Sequence, residues 1–199
     1  MSQNVVIASV GWAAVASSFG STLSQFRRAR TSGVEGVSFA TWALFVYVGC
    51  FWIAYGLAVE SWVTIMGSLL ILPMQGAILA RLEPLRQRRA MASSFGVFFA
   101  CCILPIAIWG WAGGVYGLGI VLVLVRSPQL FELIRHEDAT GVSSASWYMS
   151  AGACALWVWY FAGADLVAAL VASAVAGLAS LAIALLTTWR HLKRTEVSS

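Results

Sequence analysis

The chain reads as an all-α integral membrane protein of seven transmembrane helices, three in a first unit, one as a linker and three in a second. Three observations predict this. Of its 199 residues 60% are apolar and only 10% are charged, a balance foreign to ordinary water-soluble domains. Every one of the 12 lysines and arginines lies in alternate loops, at a helix end beside one, or in the C-terminal tail. The first three apolar runs also match the last three, at an offset of 104 residues in the first helix and 105 in the second, as an internal repeat requires.

A hydrocarbon core about 30 Å thick takes about 20 apolar residues per helix. Seven runs satisfy this: 5–23, 39–58, 62–80, 92–111, 113–133, 144–162 and 166–188. Pro73, Pro105 and Gly119 fall inside them, which a membrane helix tolerates because its neighbours re-satisfy the freed backbone groups. The first positive charge, Arg27, follows the first run, so that run is expected to be a retained span and not a cleaved leader. The organisation predicted is a first unit over 1–83, a linker helix over 84–112, a second unit over 113–189 and a basic tail over 190–199.

Charge sets the orientation. Arg27, Arg28 and Arg30 occupy the first loop, and Arg81, Arg86, Arg88 and Arg89 the third. Arg126 and Arg135 belong to the fifth loop and its helix end, and Arg190, Lys193 and Arg194 to the tail. The opposite side carries only Glu60 and Asp165. The positive-inside rule then places the N-terminus outside and the C-terminus in the cytoplasm of a cell membrane.

The repeat is dense around the second helix of each unit. Gly36, Val37, Ser38, Ala40 and Trp42 fall on Gly141, Val142, Ser143, Ala145 and Trp147. Trp52 falls on Trp157, Tyr55 on Tyr160 and Glu60 on Asp165, while Gln25 reaches Gln129 at an offset one residue shorter. Two three-helix units that face the same way need an odd helix between them, and they relate by an axis along the membrane normal. Equivalent residues then surround that axis, and in proteins built this way a midplane cavity there is the usual transport site. Trp52 and Trp157 offer flat apolar walls with an indole donor, suited to stacking on a sugar ring or another partly apolar solute. Their alternative role is to anchor the helices at the membrane boundary.

Other residues invite a mechanical reading. Pro128 removes a backbone donor and bends the fifth helix near its basic end, a candidate hinge. The first helix has Ser24 there, with Gly20 nearby. Arg126, opposite Thr22 of the first unit, is either an anion-binding group or a side chain that snorkels to the interface. No acidic residue stands mid-span, which favours downhill diffusion over proton coupling.

These residues resemble the PQ-loop proteins, and among them the SWEET and SemiSWEET sugar transporters, over nearly the whole chain. Ser127, Pro128, Gln129 and Leu130, the loop 136–141, then Val142, Ser143 and Trp147 carry the likeness in the second unit. Leu23, Ser24, Gln25 and Phe26 stand at the same place in the first, without the proline. Trp52, Tyr55 and Gly56 look like the family's Trp-x-x-Tyr-Gly stretch, with Trp157, Tyr160 and Phe161 as its second copy. The resemblance implies two parallel PQ-loop repeats that move a sugar by facilitated, bidirectional alternating access. It implies a central site at Trp52, Trp157 and the positions sixteen residues later, Ser68 and Ser173, where the family has asparagines. Ser24, Gln25, Tyr55, Arg126, Pro128, Gln129 and Tyr160 are the candidate hinge or gating residues. Two hydroxyls in place of two amides alter the donor and acceptor set and keep an amino acid or a vitamin-like heterocycle as the alternative solute.

Several function classes lack their chemistry. A retinal Schiff base needs a lysine within a span, and the only lysine is Lys193. Membrane haem needs histidines at depth, whereas His136 and His191 stand in polar segments. Cys50, Cys101, Cys102 and Cys154 have no metal-ligand spacing and read as small apolar fillers. No cofactor, metal, nucleic acid or enzymatic activity is expected. The partners expected are a small solute and the bilayer, with self-association open. A receptor or sorting protein of the same three-one-three fold is the remaining rival.

Overall fold

The structure, a computed structural model, describes residues 2–31, 39–82, 87–135 and 144–197, and every regular element among them is helical. The repeat residues at 36–38 and 136–143 lie outside the described residues, as does the side chain of Gln129. The first three helices are α1 (Ser2–Thr31), α2 (Phe39–Ala58) and α3 (Trp62–Leu79). α1 outruns its apolar stretch, and its last turns expose Arg27 and Arg30, the latter 5.8 Å over the Phe26 ring.

The fourth helix, α4, runs over Gln87–Phe98, through a π-helical turn at Phe99–Ile103, and on to 109. Pro105 accounts for the turn, because it cannot donate to the carbonyl of Cys101 and its ring pushes that carbonyl aside. The helical run Leu104–Arg135 is broken at Gly110, with φ 67° and ψ −164°. Only glycine adopts such a backbone without strain. Beyond it α5, 111–135, folds straight back along α4. The displaced Cys101 carbonyl lies against Gly117, where a Cβ would collide with it, and a Cβ on Gly113 would stand 2.7 Å from the Pro105 carbonyl. A straight helix would separate positions 101 and 117 by about 24 Å at 1.5 Å per residue. The predicted boundary at 111–113 is thus a one-residue hinge at Gly110.

α6 (Ser144–Gly163) and α7 (Val167–Val197) complete the chain. Their turn repeats the one between α2 and α3. Glu60 and Asp165 both take a left-handed φ, 54° and 56°. Ser61 N donates to the Gly56 carbonyl at 2.8 Å, and Leu166 N donates to the Phe161 carbonyl at 2.9 Å. These acids are therefore built into the turn geometry.

Packing gives a closed order of helices. α3 packs between α1 and α2, α7 packs between α5 and α6, and α1 meets α6 while α2 meets α5. The order is α1, α3, α2, α5, α7, α6 and back to α1, with α4 outside against α2 and α5. Equivalent contacts recur with the partner sizes exchanged. A Cβ on Gly67 would stand 2.9 Å from Val15; in the second unit the glycine is Gly119, 3.3 Å from Ala172. A Cβ on Gly49 would stand 2.9 Å from Leu72; in the second unit the glycine is Gly177, 3.0 Å from Cys154. Close helix approach needs one small residue per contact, on either side.

Five helical runs are long and apolar enough to cross a membrane. One of them, 88–128, is the α4–α5 hairpin folded at Gly110. α6 has the length, 20 residues, but its serines, tyrosines and tryptophans lower its mean hydropathy. The molecule is accordingly an all-helical, membrane-embedded type of protein.

Candidate functional site

α2 and α6 stand at opposite points of the helix ring, and their backbones do not pack together among the described residues. Aromatic rings bridge the gap. Trp157 and Phe161 lie one turn apart on the same face of α6, stacked at 5.3 Å with planes 21° apart. Phe161 also stacks on Trp52 of α2 at 5.7 Å, planes 12° apart. The two tryptophans thus meet through Phe161, which fills the stacking place and is only 2% exposed. At its equivalent position the first unit has Gly56, where a Cβ would stand 2.8 Å from Ile65.

The column is held asymmetrically. Trp157 Nε1 donates to Ser18 Oγ of α1 at 3.0 Å, and a Cβ on Gly67 of α3 would stand 3.6 Å from its ring. Leu122 occupies the place of Ser18 in the second unit, so Trp52 is offered no such acceptor. Ser68 follows Gly67 and is half-buried, whereas Ser173 is buried. No hydrogen bond joins these two serines among the described residues.

At the acidic end, Tyr160 and Ser61 lock α6 to α3. Ser61 Oγ lies 2.8 Å from Tyr160 Oη and 2.7 Å from Thr64 Oγ1. Ser61 also caps α3 by accepting from Thr64 N at 3.3 Å. Tyr55 has no matching latch, since Leu166 replaces Ser61. It is buried against Phe51, Trp52 and Trp111.

At the basic end, Gln25 Nε2 of α1 donates to Ser146 Oγ of α6 at 3.4 Å. Ser24 is exposed. α5 continues through Pro128 without a non-helical residue there. The reason is local: Pro128 leaves the Leu124 carbonyl without its helical donor, and Ser127 Oγ donates to it at 2.9 Å. Arg126 does not reach for the basic end. Its Nη1 donates to the Leu122 carbonyl one turn back at 2.7 Å, and its Nε donates to Ser180 Oγ of α7 at 2.9 Å. Ser180 in turn lies 3.2 Å from Ser150 Oγ of α6.

Sequence reasoning missed Phe161, Ser18, Ser61, Ser150 and Ser180. The signal for Phe161 was present as the unlike pair Gly56 and Phe161 in otherwise matched stretches. The serines carried none, because a hydroxyl inside a membrane run is commonplace. No cluster able to hold a metal ion occurs among the described residues, and the four cysteines are free. Comparison with known proteins returns no match: no family model fits the chain, and no curated protein or solved structure is significantly similar.

Proposed function

We propose that this chain is a seven-span membrane transporter of the PQ-loop type, in a three-one-three arrangement, that carries a small polar solute downhill by alternating access. The observation that carries the reading is the aromatic column. Paired positions of two repeated units converge across the helix ring, where a solute with a flat face would displace Phe161 and stack between Trp52 and Trp157. Above it, the Tyr160–Ser61 latch closes the acidic end. Below it, Gln25 Nε2 donates to Ser146 Oγ at 3.4 Å, a long bond. Contacts that can open at either end of a midplane site are what alternating access needs.

The resemblance of the sequence points to a sugar as the solute. A second reading, an amino acid or another solute with a charged group, is favoured by the guanidinium of Arg126 inside the bundle. A peptide-binding receptor would set several basic groups around the ring, and among the described residues Arg126 alone has such a place. Orientation follows the arginines, with the N-terminus outside and the C-terminus cytoplasmic in a cell membrane.

The test is counterflow in proteoliposomes with sugars and amino acids. The expected result is solute flux that needs no proton or sodium gradient and falls at least tenfold in Trp52→Ala and Trp157→Ala, each with a normal melting profile. Flux untouched by both substitutions removes the column from the site.

A further inference from the structure

We infer that Arg126, held in place by Ser180 and, behind it, Ser150, forms a carboxylate-binding subsite of the central space, so that the solute carries a carboxylate. This rests on the transport reading for its physiological meaning but not for its chemistry.

A guanidinium has five N–H donors. Two are spent, one on the Ser180 hydroxyl and one on the Leu122 carbonyl. Ser180 is saturated: it donates to the Ala176 carbonyl at 2.9 Å, accepts from Arg126, and has Ser150 at 3.2 Å on its remaining lone pair. That assigns the Ser150 proton to Ser180. Three guanidinium N–H groups remain, and among the described residues no acceptor meets them. The Nη2 group is not sealed in protein either: it is not among the buried side-chain polar atoms that lack a hydrogen-bond partner in the described residues.

The surplus is of donors and of charge together. Of the eight acidic residues, the nearest in sequence to Arg126 is Glu132, beyond the three- or four-residue spacing at which helix neighbours pair. Among the described residues no carboxylate pairs with Arg126; a cation enclosed by helices in this way is costly, and such groups mark ligand sites by default. A neutral sugar would accept hydrogen bonds but leave the charge. A carboxylate answers both, taking two parallel N–H donors of the fork.

Position agrees with this. α5 and α6 do not pack on each other among the described residues; each packs on α7, which forms the rear wall of the space between them. Arg126 on α5, Ser180 on α7 and Ser150 on α6 line that wedge from three sides. Arg126 is one turn, about 6 Å, past Leu122, whose counterpart Ser18 marks the level of Trp157. A solute stacked at the column is therefore within a small molecule's length of the guanidinium. In the first unit Thr22 replaces Arg126 and merely donates to the Ser18 carbonyl at 3.0 Å, so the subsite is single and gives the solute a direction.

The experiment uses the full chain in detergent and in liposomes, with D-glucuronate, L-lactate, L-alanine, D-glucose and sodium chloride as probes. At least one of the three carboxylates is expected to raise the melting temperature above equal chloride, and D-glucose is expected not to. Arg126→Gln should weaken that binding about tenfold to a hundredfold, and Arg126→Lys, which keeps the charge but not the fork, should weaken it less. Should Arg126→Gln not fold, Arg126→Lys and the wild-type comparison with chloride still decide. Which carboxylate binds separates a sugar acid from an amino acid or a simple organic acid. Stabilisation by none of the carboxylates, equal stabilisation by chloride, or carboxylate binding unchanged in Arg126→Gln overturns the inference. Glucose flux that survives in Arg126→Gln also overturns it while leaving transport intact. Arg126-dependent binding without flux of any probe sustains the subsite and removes transport.

Discussion

Phe161 lies face to face with Trp52, ring centroids 5.7 Å apart and planes 12° apart, although their helices do not otherwise pack together. The ring occupies the place that two paired tryptophans would offer to a solute. Phe161→Gly copies the first unit's Gly56 and empties the column. It is expected to cost about 3 kcal/mol or more of stability and to raise flux in proteoliposomes. A slower flux in a normally folded variant would show that Phe161 helps to bind the solute and does not plug its path.

Trp157 and Ser18 form a hydrogen bond across the α1–α6 seam. Ser18→Ala and Trp157→Phe should each cost about 1 kcal/mol in thermal unfolding. The double variant should be no worse than Trp157→Phe by more than a few tenths. Full additivity would mean that the bond contributes nothing.

Ser61 performs two tasks with one hydroxyl, capping α3 and bonding Tyr160. Ser61→Ala should therefore lose about 1 to 2 kcal/mol, while Tyr160→Phe loses only the latch. If the latch closes the acidic end, Tyr160→Phe should also change solute flux in proteoliposomes. Unchanged flux would leave Ser61 a helix cap alone.

Glu60 and Asp165 hold φ values of 54° and 56°, a region that costs an L-residue about 1 to 2 kcal/mol and glycine nothing. Glu60→Gly is expected to raise stability by about 1 kcal/mol, and Asp165→Gly by less, since aspartate tolerates this region better. A fall in melting temperature would mean that the carboxylates contribute more than the strain costs.

Gly117 touches the Cys101 carbonyl that Pro105 frees. Gly117→Ala drives a methyl group into that carbonyl and should cost about 3 kcal/mol. Gly96→Ala, with open space around its Cβ, is the control and should gain a few tenths through helix propensity.

Much of the helix plan was legible in the chain. Hydropathy runs, the one-sided arginines and the offset repeat locate each helix to within a few residues, apart from the polar extensions of α1 and α7. The hinge at Gly110 was less legible, because the chain there is apolar on both sides and the next glycines, Gly113 and Gly114, compete for the same role. In the site, pairing by offset found Trp52 and Trp157, and the structure brings them to one column. Their central partner escaped because it breaks the repeat. The fate of Arg126 escaped because a sequence does not say which way a long side chain turns.

Continuous apolar runs of about 20 residues determined that the chain is helical, since such a run in lipid satisfies its own backbone hydrogen bonds only as a helix. The repeat alone determined which residues are equivalent. Tertiary structure alone decided that Phe161 enters the column, that Ser18 rather than a symmetric partner holds Trp157, and that Arg126 turns inward to Ser180. Those outcomes depend on what faces a side chain from helices 30 to 140 residues away in the chain, and no local property of the sequence encodes that distance.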